Sequence, residues 1–238
     1  MAEPKAPAKT TTGEVAREAA SSAELDAFLN KVQSLQPART GRGRLVFAMD
    51  ATMSRQPSWD LALSLQSEMF RAVKEVGGLD VQLLYFRGFG ECRASRWVGD
   101  PDALARLMRQ VHCEGGHTQI RKVLSHARQE NERQTVNALV YVGDCMEENI
   151  DTLSQLAGEL GLVGVPVFLF QEGGNALAER AFKEIARLSR GAYCRFDAGS
   201  AGQLRELLRA VAVYATGGRK ALENAKSGAA TLLLEQLG

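Results

Sequence analysis

Short apolar runs alternate along this chain with stretches of helical periodicity, and that alternation narrows the possible folds more than any other feature. Residues 44–49, Val81–Phe86, Val136–Val142, Val165–Phe170 and the short Tyr193–Phe196 each read as a strand with little polar character. A strand that is apolar on both faces must be covered on both faces, which in a chain of this pattern means helices above and below a parallel sheet. Glu91–Val98 differs. It follows Val81–Phe86 through a turn at Gly88 and Gly90, so it reads as the second arm of a hairpin. The expected fold is therefore α/β: a doubly wound, mainly parallel sheet with one antiparallel edge strand.

The helices are marked by their ends. Pro57 and Ser58 open one that reaches about Val76, with Leu65, Met69, Val73 and Val76 at helical spacing and Gly77-Gly78 as its stop. Asp100 followed by Pro101 is a cap and a first-turn proline, and predicts a helix to about Val111. Further helices are expected at Gln119–Asn131, at Ile150–Leu160, at Leu177–Arg190 with Gly191 as its cap, and at Ala201–Tyr214, the last closed by Gly217-Gly218. Residues 1–20, rich in Ala, Pro, Lys and Thr, are expected to be disordered. Residues 21–43 begin with the capping box of Ser21 and Glu24 and read as a helix plus lead-in. Residues 44–218 form the main domain. Residues 219–238 read as one amphipathic helix weakened by Gly228, packed on the domain or, alternatively, on a partner.

Composition removes some classes of function. The formal net charge is +1, so the whole-molecule field gives no reason to expect nucleic acid or anionic lipid as a partner. Arg39, Arg42 and Arg44 read as a solvated lead-in to the first strand. The 4 cysteines form no C-x-x-C pair, and reduced thiols in a cytoplasmic protein are expected. The apolar stretch Leu162–Phe170 is too short, and too interrupted by Gly164 and Pro166, to span a bilayer. The first residues contain no apolar core of a secretory signal.

In a doubly wound sheet, ligands bind beyond the carboxyl ends of the strands, where the strand order reverses. Asp50 stands at the end of the first strand and is followed by hydroxyls at Thr52 and Ser54. Asp144 stands at the end of the strand that starts at Val136, and Thr118 precedes a helix between them. Each has a plain reading as well: Asp50–Ser54 as a turn, Thr118 and Asp144 as helix caps. Gathered in one cleft, they would offer oxygen ligands to a hard divalent cation.

Asp50-Ala51-Thr52-Met53-Ser54, Gly115-Gly116-His117-Thr118 and Val140-Tyr141-Val142-Gly143-Asp144 resemble the three loops of the metal-ion-dependent adhesion site (MIDAS) of von Willebrand factor A (vWA) domains. The first loop of that family is typically D-x-S-x-S, and Thr52 keeps the hydroxyl. Cys145 stands where the family often has glycine. Ser189-Arg190-Gly191-Ala192-Tyr193 resembles the family's late helix-to-strand turn, and the likeness runs from about Arg44 to Gly218. The resemblance implies a Rossmann-like vWA fold. It also implies a divalent cation, usually magnesium, held by Asp50, Thr52, Ser54, Thr118 and Asp144 directly or through water. The function it implies is non-enzymatic: an open position on the cation takes a carboxylate from a protein partner. Similar bacterial domains work beside AAA+ ATPases or in the assembly of metalloenzyme complexes. His117, Glu147 and Glu148 neighbour the proposed ligands and are candidates for the rim.

Other chemistries fit less well. A metal-assisted hydrolase using the same cation to activate water is the second expectation. An aspartyl phosphatase of the haloacid dehalogenase type needs D-x-D, and Thr52 cannot serve as its general acid. The glycine patterns of dinucleotide and P-loop nucleotide binding are missing. His112, Cys113, His117 and Cys92 match no zinc template, and buried thiols beside an exposed histidine are expected instead.

Overall fold

The computed structural model describes residues 42–72, 78–196 and 201–237. The first strand, β1 (Gly43–Asp50), is buried at every residue. Its side chains alternate between two cores: Leu45, Phe47 and Met49 enter one, Val46 and Ala48 the other. That alternation is the pleat of a strand covered on both faces. Parallel neighbours flank it, β2 (Leu79–Arg87) and β4 (Ala138–Gly143). β3 (Glu91–Val98) pairs antiparallel with β2, while β5 (Val167–Glu172) and β6 (Ala192–Phe196) continue the parallel sheet. The order is β3-β2-β1-β4-β5-β6. The sheet is thus mainly parallel with one antiparallel edge, as the alternating pattern predicts.

One face carries α1 (Gln56–Ala72), α2 (Pro101–Arg109), α6 (Ala201–Asn224) and α7 (Gly228–Gln236). The other carries α3 (Ile120–Arg133), α4 (Ile150–Leu162) and α5 (Ala176–Leu188). Trp59, Ala62, Leu65 and Met69 form the buried stripe of α1. Asp100 caps α2 by accepting from the Ala103 N–H at 2.8 Å. These residues belong to one compact unit, Arg39–Gly238. Among the described residues no helix is long and apolar enough to cross a membrane. The expected disordered segment 1–20, the helix from Ser21 to about Leu35, and the end of α1 at Val73 and Val76 lie outside the described residues.

Three expectations are corrected. Arg44 is not solvated but buried: its guanidinium lies 3.9 Å over the Trp97 ring, donates to the Gln134 carbonyl at 2.6 Å and pairs with Glu130 at 3.7 Å. A long stem with a planar head can be buried where aromatic, carbonyl and carboxylate partners converge. The tail is not a single helix. α6 runs on past a break at Gly218 (φ 66°, ψ −163°), and Ser227 caps α7 by accepting from Ala230 N–H at 3.1 Å. Gly228 therefore opens a helix rather than weakening the middle of one. Leu222, Ala230 and Leu233 are buried in the same core as Phe47, and the Tyr193 N–H donates to Gln236 Oε1 at 2.8 Å. Third, Gly191 does not end α5 by its φ. Arg190 takes the left-handed conformation (φ 58°), and Gly191 is required because a Cβ there would lie 1.9 Å from the Val167 carbonyl oxygen.

Candidate metal centre

β1 and β4 are neighbours at the reversal of strand order, and Met49 pairs with Val142 in register. Their carboxyl ends are level, so Asp50 and Asp144 leave the sheet side by side. Asp50 is 1% exposed. Its Oδ1 accepts from the Thr52 N–H at 2.8 Å, which folds the chain into a tight turn and then a single 3-10 turn, Met53–Arg55. Asp50 Oδ2 is buried with no hydrogen-bond partner, and Asp144 Oδ1 is in the same condition. Thr52 Oγ1 lies 3.4 Å from Ser54 Oγ, which lies 3.4 Å from Asp144 Oδ2.

Burial pushes the Asp50 carboxyl up to about 6; the Thr52 backbone N–H opposes this and the Asp144 charge adds to it. A buried polar atom without a partner is costly and rare. Two such carboxylate oxygens, in a group that also holds the Thr52 and Ser54 hydroxyls, fit a divalent cation, which would satisfy both at once. The turn reading of Asp50–Ser54 holds beside the metal reading, whereas the two cap readings are displaced. The cap of α4 is Asn149, accepting from Thr152 N–H at 3.1 Å, and the cap position of α3 is Gln119, so neither Asp144 nor Thr118 fills a cap position.

The second loop is held against the first and against the β2–β3 turn. The Glu114 N–H donates to the Ala51 carbonyl at 3.0 Å, and the His117 N–H donates to the Gly88 carbonyl at 3.2 Å. Gly116 lies so close to that turn that a Cβ would sit 2.1 Å from Gly88 O. Gly116→Ala should therefore shift the loop that carries Thr118. The expected outcome is a loss of about 1–3 kcal/mol in stability, by overpacking, together with weaker divalent-ion binding; thermal melts and calorimetric titration read the two.

Thr118 is buried and exchanges two hydrogen bonds with the third loop. Its N–H donates to Glu147 Oε2 and its Oγ1 accepts from the Glu147 N–H, both at 3.0 Å. His117 Nδ1 lies 3.2 Å from the same Glu147 oxygen, and its ring meets Phe89 edge-on at 5.2 Å. Glu148 faces the start of α3: its carboxylate accepts from the N–H groups of Ile120 and Arg121, and it also accepts from the Thr118 hydroxyl. Burial raises its pKa, and those bonds oppose the rise. The five expected ligands and Glu147 thus come together, while Glu148 serves the helix terminus.

A cleft of about 230 Å³ opens over the site, lined by Thr52, Ser54, Thr118, Cys145 and Glu147 among others. Donor atoms of Asp50, Asp144 and Cys145 all lie within 4.8 Å of one another. Burial, then the charge of Asp144, pushes the Cys145 thiol up to about 12. His112, Cys113, His117 and Cys92 are not part of that group; Cys113 is in the core and Cys92 packs against the other core.

Sequence reasoning missed Arg55. Its guanidinium is buried, paired with Glu172 at the end of β5, and 3.6 Å from Asp144 Oδ2. Ser58 also donates to Glu172. The signal that could have found Arg55 is its place directly after Ser54, within the first loop.

No protein-family model and no curated protein matches the sequence. Solved structures do. A von Willebrand factor type A protein from Catenulispora acidiphila superposes with a TM-score of 0.61 at 13% identity, over 74% of this chain and 43% of that one. This chain thus aligns with less than half the length of that protein. The SpRpn10 VWA domain gives 0.56 at 10% identity, over 69% of this chain and 94% of that domain. Proximal thread matrix protein 1 from the mussel byssus, in a form with a zinc-occupied MIDAS motif, gives 0.59 at 16% identity, over 73% and 46%. Likeness at such identities is likeness of fold, and it agrees with the strand order and the antiparallel edge: this chain has the von Willebrand factor A fold.

Proposed function

We propose that this protein is a recognition module that binds a divalent cation through Asp50, Thr52, Ser54, Thr118 and Asp144 and offers it to a carboxylate on a protein partner. The observation that carries this is the pair of buried, partnerless oxygens, Asp50 Oδ2 and Asp144 Oδ1, side by side at the strand reversal. The two aspartates supply the charge. The three hydroxyls are neutral, so the cation retains positive character toward an incoming acid. With these oxygens alone the site suits magnesium.

The zinc-occupied MIDAS of the mussel protein supports a cation in such a loop set. The surroundings fit a protein rather than a small molecule. Met53 is 64% exposed at the cleft and Phe89 is 85% exposed against His117. Apolar side chains beside a charged centre are what a protein interface uses. A partner that works in an AAA+ ATPase or a metalloenzyme assembly would meet this requirement with one exposed Asp or Glu.

The test is affinity capture from native lysate in divalent cation and in chelator, with wild type and Asp144→Asn. The expected result is a set of partners held by wild type, lost with chelator and absent from the variant. A captured set unchanged by chelator would overturn the proposal. Turnover of phosphate or ester substrates that disappears in Asp144→Asn would overturn it in favour of a hydrolase.

A further inference from the structure

We propose that Cys145 is a sulfur ligand of the same cation, and that it makes the site select a zinc-type ion over magnesium. This rests on the metal-site reading and narrows it. The residue after Asp144 puts a thiol into the cleft shared with Thr52, Ser54 and Thr118. The sulfur and one oxygen each of Asp50 and Asp144 lie within 4.8 Å of one another, so small side-chain rotations bring all three onto one ion. Asp50 is 1% exposed and its Oδ2 has no partner, so the group is built around an unmet charge rather than around a cysteine alone.

The four cysteines also differ in what holds them. Cys113 and Cys194 are buried in the core that contains Phe47, and Cys92 packs against the core that contains Val46. Cys145 belongs to neither and lines the cleft. Magnesium takes hard oxygens and dehydrates reluctantly, whereas zinc accepts thiolate, imidazole and carboxylate together in a four-coordinate site. Adding one thiolate to two carboxylates therefore reverses the preference that the oxygens alone would set. On binding, the Cys145 S–H bond breaks, the sulfur–metal bond forms and the proton leaves to solvent.

The experiment titrates the whole chain with Zn²⁺, Co²⁺ and Mg²⁺, in wild type, Cys145→Ser and Cys92→Ser. The expected result is that Zn²⁺ displaces Mg²⁺ from wild type at a concentration roughly 100-fold or more below that of Mg²⁺. Co²⁺ should give a sulfur-to-metal charge-transfer band that persists in Cys92→Ser and vanishes in Cys145→Ser. In Cys145→Ser the preference for Zn²⁺ should fall about tenfold or more while Mg²⁺ binding holds. Mg²⁺ binding without a sulfur band, or a Zn²⁺ preference unchanged in Cys145→Ser, overturns the role of Cys145 and leaves the metal site standing. Failure of every ion to bind wild type overturns the metal site itself.

Discussion

Asp50→Asn should abolish divalent-ion binding and, at the same time, make the ion-free protein more stable at neutral pH. The two effects have one origin. Asp50 is buried with one oxygen unpaired, and its pKa is raised from 3.8 to about 6. A carboxyl whose folded pKa exceeds its unfolded value binds its proton more tightly in the folded state. Its favourable contribution is complete below the unfolded pKa and is lost as pH rises through about 6. Above that, the ionised side chain costs the ion-free fold roughly 3 kcal/mol. Asparagine keeps the shape and an oxygen to accept the Thr52 N–H, but it carries no charge to desolvate. In chelator, urea melts of wild type should lose stability from about pH 4 to pH 7, and the variant should lose distinctly less, its remaining slope coming from groups such as Glu148. Saturating divalent ion should restore wild type and leave the variant unmoved. A variant less stable than wild type at pH 7.5 in chelator would contradict this account.

The raised Asp50 also marks where sequence reading succeeds and where it stops. β1 is legible because a strand buried on both faces must be largely apolar, and its run from Leu45 to Met49 obeys the rule, with only Arg44 near its start and Asp50 at its end departing from it. Thr52 and Ser54 are legible because they lie in the same pentad as Asp50. Thr118 and Asp144 become informative only with the strand order, since the reversal between β1 and β4 is what brings their loops together. The partners of Arg44 and Arg55 are a different matter. Glu172 lies 117 positions from Arg55, on a strand two places away in the sheet, and no periodicity links such charges. Glu148 illustrates the same limit: beside Glu147 in the chain, it turns to the N–H groups of Ile120 and Arg121. The break before α7 was hidden for a smaller reason. Lys226, in the left-handed region at φ 46°, is not glycine, so the turn at residues 225–227 carries no glycine signal.

Arg55→Met should have the largest effect on stability and the opposite effect on the cation. Methionine fills much of the space of the arginine stem but carries no charge. Glu172 would keep only the Ser58 hydroxyl of its two described partners, and Asp144 would lose a guanidinium 3.6 Å from Oδ2. Breaking a buried pair from one side leaves an uncompensated charge, and the expected loss is about 3–5 kcal/mol in chelator. Arg55→Met/Glu172→Leu should recover much of that loss, because no charge is then left unpaired there; a double-mutant cycle measures the coupling. The cation should respond in the other direction. A fixed positive charge beside a ligand oxygen repels an incoming divalent ion, so its removal should tighten binding by roughly tenfold. Glu172→Gln should weaken binding, because Arg55 is then left to Asp144 alone. The stability deficit of Arg55→Met should therefore shrink as divalent ion is added, by mass action on the tighter site. A deficit of less than about 1 kcal/mol in chelator, the range of an exposed pair, would mean that Arg55 and Glu172 behave as surface charges. Weaker ion binding in Arg55→Met would mean that the guanidinium organises Asp144 for the cation instead of competing with it.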